Sequence, residues 1–410
     1  MKLAELAAAG QVLPGDDVLM IGVIDCTQNG STQLRTNVVT GIRQNNGVPL
    51  TFNIENFGYL PRISPATAKY TRNFVDFVAK SVEAIVRTNV LDGVVAIVDN
   101  YVTGLGILEG CTRLNCPVYL LPTGTNPHYD QSVLMTAGQV ATREVKAAAV
   151  DQVVKAYARQ DGIAPLDTLS LNFFKLAEAF DLTLPGAAKL VLNQGATLQF
   201  ALQTGKAAVQ RADDIITTKR LISKRTMDDA VAKYQEQGGN FSGLLLWNNL
   251  FTMVDVKMPT GLFPSLKGLA NQAVVVSGET APLTKQDQAW VYRSLTDAMT
   301  ALTSNAIDHG IIVLQNCVDC DISLVAHTIV AMHKTEEIAL ITDGYCATTP
   351  VLTVANIAPS AFENEEFANI QNGDTLDIDV TKGRLNTSTS SKDMKLRAKR
   401  NIVKKHEIYF

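Results

Sequence analysis

Residues 93–122 read GVVAIVDNYVTGLGILEGCTRLNCPVYLLP. The run GVVAIVD (93–99) is apolar and rich in β-branched residues, without the polar alternation of a half-exposed strand. It reads as a strand buried on both faces. A helix follows to about Asn115, and PVYLLP (117–122) is a second buried strand. Two such strands joined by one helix lie parallel, in a sheet covered on both sides.

The same alternation extends towards the N-terminus. DVLMIGVID (17–25) is a strand, and Ser31 is placed to cap a helix whose apolar face is Leu34, Val38, Val39 and Ile42. VPLTFNI (48–54) is the next strand. Residues 66–88 form a long amphipathic helix with Phe74, Phe77, Val78, Val82 and Ile85 inward. Parallel sheets of this kind collect ligands beyond the carboxyl ends of their strands. Those ends are Asp25-Cys26, Asn53 to Glu55, Asp99-Asn100-Tyr101 and Pro122-Thr123-Gly124.

Residues 137–237 read as helical. Asp167 or Thr168 caps one helix, Pro185-Gly186 terminates it, and Thr226 with Asp228 and Asp229 opens another, ended by Gly238-Gly239. After about residue 255 the composition changes. Short β-rich runs such as QAVVVSG (272–278), HGIIVLQ (309–315), EIALITDG (337–344) and DTLDIDV (374–380) are separated by turns and a few helices. The fold expected is an α/β N-terminal domain over 1–255, with a parallel sheet, and a strand-rich domain over 256–390. A basic tail or helix over 391–410 is expected to be solvated or to dock in an oligomer.

The chain has 410 residues, 46% hydrophobic and 19% charged, with a net charge of −4, which argues against chain-wide affinity for nucleic acid or anionic membrane. The start is too weakly apolar for a signal peptide and no run reaches spanning length, so a cytoplasmic location is expected. Reduced thiols are then the default for Cys26, Cys111, Cys116, Cys317, Cys320 and Cys346. Cys317-Val-Asp-Cys320 has metal-like spacing, but no second pair completes it. There is no internal repeat, no Walker loop and no G-x-G-x-x-G. His128 lies in a loop near the strand ends, whereas His327 and His333 read as positions on one helix.

Several segments resemble the dihydroxy-acid dehydratase / phosphogluconate dehydratase family. EIALITDG, VANIAPSAF and IQNGDTLDIDVTKGRLNT resemble the family's V-A-L-I-T-D-G-R-F-S-G, G-H-V-x-P-E-A and I-x-D-G-D-x-I-x-I-D stretches. NNGVPLTFNI, KSVEAIVRTNVLDGVVAIVDN, RLNCPVYLLPTG and LAEAFDLTLPG resemble its N-terminal motifs in the same order. The resemblance implies an α/β domain, a C-terminal β-barrel of the aconitase-swivel kind, and a homodimer. It also implies removal of water from a 2,3-dihydroxy acid by an iron–sulfur cluster, a magnesium ion and a serine base. This chain is shorter than is usual for the family.

The matched positions depart from that chemistry. The family's cluster cysteines fall at Gly30, Asn100 and near Ala164, and its magnesium aspartates at Tyr59 and Tyr101. The lysine beside the second falls at Val102, the serine base falls at Ala347, and one carboxylate position is kept as Asp321. Neutral side chains supply neither a thiolate nor an oxygen anion. The first expectation is therefore a protein that has lost cluster- and magnesium-dependent dehydration. It holds a small polar ligand without cofactor, in a pocket drawn from Asp25, Cys26, Tyr59, Asn100 and Tyr101, or is a pseudoenzyme with that pocket plugged. The second is a hydro-lyase or isomerase with a rebuilt site. Its candidate catalytic residues are Tyr101, Asp321, Asp343 and Cys346, with Asp321 as candidate ligand for a divalent metal. The third is a relocated iron–sulfur cluster on Cys317, Cys320 and Cys26 or Cys346. The structural alternatives are plain: Asp343-Gly344 is ordinary turn chemistry, and Cys26 and Cys346 suit small buried positions.

Overall fold

The computed structural model describes residues 18–27, 31–56, 71–126, 138–143, 146, 148–149, 162–163, 168–237, 239, 246, 250, 253–254, 267–269, 272–275, 281–317, 322–346, 349–358 and 365–398. The N-terminal part is a parallel sheet of β1 (Met20–Asp25), β2 (Val48–Asn53), β3 (Gly93–Val98) and β4 (Val118–Pro122), in the order β2-β1-β3-β4. Helix α1 (Thr32–Gln44) follows β1, α2 (Thr71–Asn89) follows β2 and α3 (Tyr101–Leu114) follows β3. Then come α4 (Thr168–Ala179), α5 (Gly195–Asp213) and α6 (Met227–Glu236).

Strand side chains alternate between two covered faces. Ile21, Val23, Val95, Ile97 and Leu121 pack with Val38 and Ile42 of α1 and Ala208 of α5. Ile24, Val94, Ala96, Val98 and Leu120 pack with Val78 of α2, Leu105 of α3 and Phe173 of α4. That two-sided burial explains the unbroken apolar runs. It also places a topological switch: α1 leaves β1 towards one face, while α3 leaves the neighbouring β3 towards the other.

The free edge of β4 is covered. The Leu120 N–H donates to the Leu182 carbonyl at 2.8 Å, and Arg211 of α5 donates to the carbonyls of Val118 and Asp181 at 2.8 and 2.6 Å. The Arg211 guanidinium lies 3.5 Å above the Tyr119 ring centre. Helices α1 and α5 cross at Gly41 and Gly205 with no room for a side chain. A Cβ on Gly41 would lie 2.0 Å from the Leu202 carbonyl oxygen, and one on Gly205 2.2 Å from that of Val38.

The C-terminal part is an eight-stranded mixed sheet in the order β5-β12-β11-β7-β8-β9-β10-β6. Its strands are β5 (Lys267–Gly268), β6 (Gln272–Val275), β7 (Thr284–Tyr292), β8 (Gly310–Leu314), β9 (Ile338–Thr342), β10 (Thr353–Ala358), β11 (Thr375–Asp379) and β12 (Arg384–Thr387). Helices α7 (Leu295–Thr303) and α8 (Ser323–Ala331) cover one face, with Ile312, Leu314 and Leu340. The other face encloses Ile311, Val313, Val354, Phe367, Leu376 and Leu385. β5 and β6 are the two ends of this sheet, although only residues 269–271 separate them in the chain. Seven flat strand spacings of ~4.8 Å would put the ends about 34 Å apart. Four residues reach at most about 14 Å. The sheet is therefore curled, bringing its ends together, although no ladder among the described residues joins β5 to β6.

Several sequence expectations need correction. Phe77 is 45% exposed and stacks on Phe74, because the buried stripe of α2 runs through Val75, Val78, Ala79, Val82 and Val86, one helical step aside. Ser31 occupies the N-cap of α1, but its hydroxyl donates to Thr27 Oγ1 at 3.3 Å rather than capping the helix. α4 ends at Ala179, with left-handed Asp181 (φ 54°) turning the chain before Pro185-Gly186 is reached. His333 lies beyond the end of α8, so it does not share that helix with His327. The start of the tail, 391–398 (α9), is a helix with most of its residues exposed, as expected, but it also docks on the C-terminal sheet. Met394 joins the core, and Arg397 donates to Asp374 at 2.6 and 3.0 Å. Among the described residues no helix is long and apolar enough to cross a membrane.

Candidate functional site

The carboxyl ends of β1 and β3 meet at the switch between the two faces, and most of the sequence candidates that are described lie there. Asp25 closes β1 and is 3% exposed. Its Oδ1 accepts from the Thr27 N–H (3.1 Å) and hydroxyl (2.7 Å), and its Oδ2 accepts from the Ser31 N–H (2.8 Å). Both oxygens thus hold the loop that enters α1, as an Asx turn does. Cys26 is fully buried. Burial first, then the carboxylates of Asp25 and Asp99, push its thiol well above the ordinary range. Such a thiol stays neutral on its own and is a poor nucleophile.

Asn100 is committed to structure at both ends of its amide. Its Oδ1 accepts from the N–H and the hydroxyl of Thr103, each at 2.9 Å, capping α3. Its Nδ2 donates to Asp99 Oδ1 at 2.8 Å. The same oxygen accepts from Asn56 Nδ2 at 2.8 Å, and that nitrogen also donates to the Cys26 carbonyl at 2.9 Å. Tyr101 is buried at the first turn of α3, where its N–H donates to Ser170 Oγ of α4 at 2.9 Å. Asp25, Cys26, Asp99, Asn100 and Tyr101 are therefore brought to one place, tied by Asn56 and Ser170. Sequence reasoning named Asp99 only as a strand end, and did not find Asn56 or Ser170. For Asp99 the signal is its place directly after a buried strand; Ser170, seventy residues away, leaves none.

The turn after β9 approaches from the C-terminal part of the chain. Asp343 is 6% exposed, and its oxygens accept from the successive N–H groups of Asn316 (3.1 Å) and Cys317 (2.8 Å). Two consecutive amides converging on one carboxylate form an anion nest, filled here by the chain itself. Thr342 Oγ1 accepts from the Gly344 N–H at 2.9 Å. Tyr345 is buried in the same apolar cluster as Cys26 and Tyr101, so this turn does reach the N-terminal core. Cys346 and Cys317 lie in the cluster under α7 and α8, apart from Cys26. Ser323 Oγ donates to Cys346 Sγ at 3.9 Å. The described cysteines form no disulfide. Among the described residues no three His, Cys, Asp or Glu side chains are arranged to hold a metal ion. Tyr59, His128, Cys320 and Asp321 lie outside the described residues, as do Gly30, Ala164 and Ala347.

The chain matches two family models end to end. That for the N-terminal part of dihydroxy-acid/6-phosphogluconate dehydratases covers residues 20–260, and that for the C-terminal part covers 255–409. A dihydroxy-acid dehydratase of Metallosphaera sedula is 22% identical over 471 residues, covering 88% of this chain and 84% of that protein. One from Sulfurisphaera tokodaii is 21% identical over 469 residues, covering 88% and 83%. One from Ruminiclostridium cellulolyticum is 28% identical over 114 residues, covering 26% and 21%. An alignment of 471 residues exceeds the 410 of this chain, so the archaeal relative carries segments that have no counterpart here.

Proposed function

This chain belongs to the dihydroxy-acid/6-phosphogluconate dehydratase family, and on that premise we propose that it has given up cluster- and magnesium-dependent dehydration and holds a small polar ligand at the β1–β3 switch. One observation carries the reading. The residue at a cluster-ligand position of the family, Asn100, is neutral and spends its amide on capping α3 and on Asp99. The groups around it do not fit the family's cofactors either. Asp25 is occupied by its own loop and Asp343 by the 316–317 amides. No reaction step is therefore assigned through a cluster or a magnesium ion. The reading is supported by position: Asp99 and Tyr101 directly follow β3 at the switch point, where parallel sheets of this kind bind polar ligands through hydrogen bonds.

Protein made and purified without oxygen is expected to be colourless, with no stoichiometric iron or sulfide, and inactive towards 2,3-dihydroxy acids. About one cluster per chain would overturn this reading and favour a cluster held by Cys317 and Cys320. A hydro-lyase or isomerase with a rebuilt site is the second reading. It is favoured by alignment with named dehydratases over 88% of the chain. Dehydration that survives chelation and disappears in Tyr101→Phe would establish it.

The division near residue 255, and full closure of the curled C-terminal sheet into a barrel, belong to the same proposal. So does assembly as a homodimer through the N-terminal part. Sedimentation at micromolar concentration is expected to give the mass of two chains; a monomer would remove the dimer from the proposal.

A further inference from the structure

A residue with left-handed backbone lies beside the 342–346 turn. Asn356 has φ 51° and lies inside β10. Other left-handed asparagines sit where chains turn: Asn46, Asn115 and Asn305 each follow a helix end. The ladder with β6 shows what Asn356 does. Ala355 pairs with Val274 but Ala358 pairs with Gln272, so β10 carries one extra residue, a β-bulge. In a regular strand Ala355 and Ile357 would share a face. Here Val354 and Ile357 both enter the C-terminal core, while Ala355 joins the N-terminal cluster that contains Cys26, Tyr101 and Tyr345. Asn356 is thus the hinge of the strand at the junction of the two cores. Its N–H donates to the Gly344 carbonyl at 2.8 Å. Its side-chain Nδ2 is buried and has no hydrogen-bond partner among the described residues.

A glycine would meet the backbone requirement without strain. An asparagine kept for structure would spend its amide, as Asn100 does. A buried N–H donor left open costs free energy unless something else completes it, and bulges beside active sites re-aim side chains. We propose that Asn356 is a ligand-recognition residue, its carboxamide N–H donating to an sp2 oxygen, carbonyl or carboxylate, of a small molecule held between the 342–346 turn and the strand ends of β1 and β3. This rests on the ligand-binding reading above and adds the group that is recognised.

The test compares the wild-type chain with Asn356→Gly, which keeps the left-handed backbone and removes the amide, and Asn356→Asp, which keeps the shape and replaces the donor by oxygen. Glycerate and dihydroxyacetone serve as probes, because they share a three-carbon skeleton but only one is charged. Without probe, the Tm of Asn356→Gly should equal or exceed that of wild type. A fall of several degrees would show a structural amide and overturn the proposal. With millimolar probe, the wild-type Tm should rise, and the apparent affinity should drop about tenfold in both variants, the loss of one hydrogen bond's worth of binding. A response to glycerate that Asn356→Asp loses more completely than Asn356→Gly assigns a carboxylate; equal losses with dihydroxyacetone assign a carbonyl. No rise with either probe, or the same rise in all three proteins, overturns the proposal. Iron content and dehydration are read separately, so a cluster-bearing protein with Asn356-dependent binding would sink only the earlier reading.

Discussion

Gly41→Ala is expected to destabilise the N-terminal part by about 2–3 kcal/mol, the overpacking range for a tight core. The new methyl would sit 2.0 Å from the Leu202 carbonyl oxygen, which is backbone and cannot rotate away. Alanine in a helix interior gains about 1 kcal/mol over glycine. That gain is too small to offset the separation of α1 from α5. Gly205→Ala meets the Val38 carbonyl at 2.2 Å and should behave alike. The double variant should cost less than the sum, because the first methyl already parts the helices. Gly195, at the first position of α5, has open space around it, so Gly195→Ala is the control that should not destabilise. Denaturant midpoints with unchanged slopes would measure all four. A neutral Gly41→Ala would mean that the helices do not cross as described.

Asp343→Ala is expected to cost about 3 kcal/mol. Both N–H groups of the 316–317 nest lose a charged acceptor; that of Cys317 is left buried and that of Asn316 part-buried, and a buried donor left unpaired costs roughly 1–3 kcal/mol. Asp343→Asn should lose less, since one amide oxygen still accepts. Equilibrium unfolding reads the difference, and a change below about 0.5 kcal/mol in Asp343→Ala would restore Asp343 to the functional candidates.

Much of the architecture was legible because both faces of the N-terminal sheet are covered. GVVAIV and VYLLP have one reading as strands between helices. Other features depend on partners far along the chain. β7, TKQDQAWVY, was not found, because its side chains are mostly polar and half-exposed and it becomes a strand through β11 and β8. The crossing of Gly41 with Gly205 joins positions 164 residues apart, and neither glycine alone announces it. Asn100 shows the reverse difficulty. Asparagine ahead of a helix with threonine three residues on is ordinary capping chemistry, yet the resemblance presents it as a vacant ligand position. Both are true of the same side chain. Asn356 sits in TVANIA, which reads as an unbroken strand; its bulge is set by β6 and Gly344.

The placing of β5 and β6 at opposite ends of one sheet has a temporal meaning. A ribosome delivers both strands together, yet each must wait for its neighbour. β6 pairs with β10, beginning at Thr353, and β5 with β12, beginning at Arg384. The first four strands, by contrast, are complete by Pro122. The C-terminal sheet is therefore completed late and through contacts of long sequence separation, the class that folds slowly. Until about residue 387 has emerged, β5 lacks β12 and β7 lacks β11, and these unpaired strands are able to capture strands from other molecules. Chains stalled or truncated between β10 and β12 should be the aggregating species during synthesis, while the N-terminal sheet is already formed.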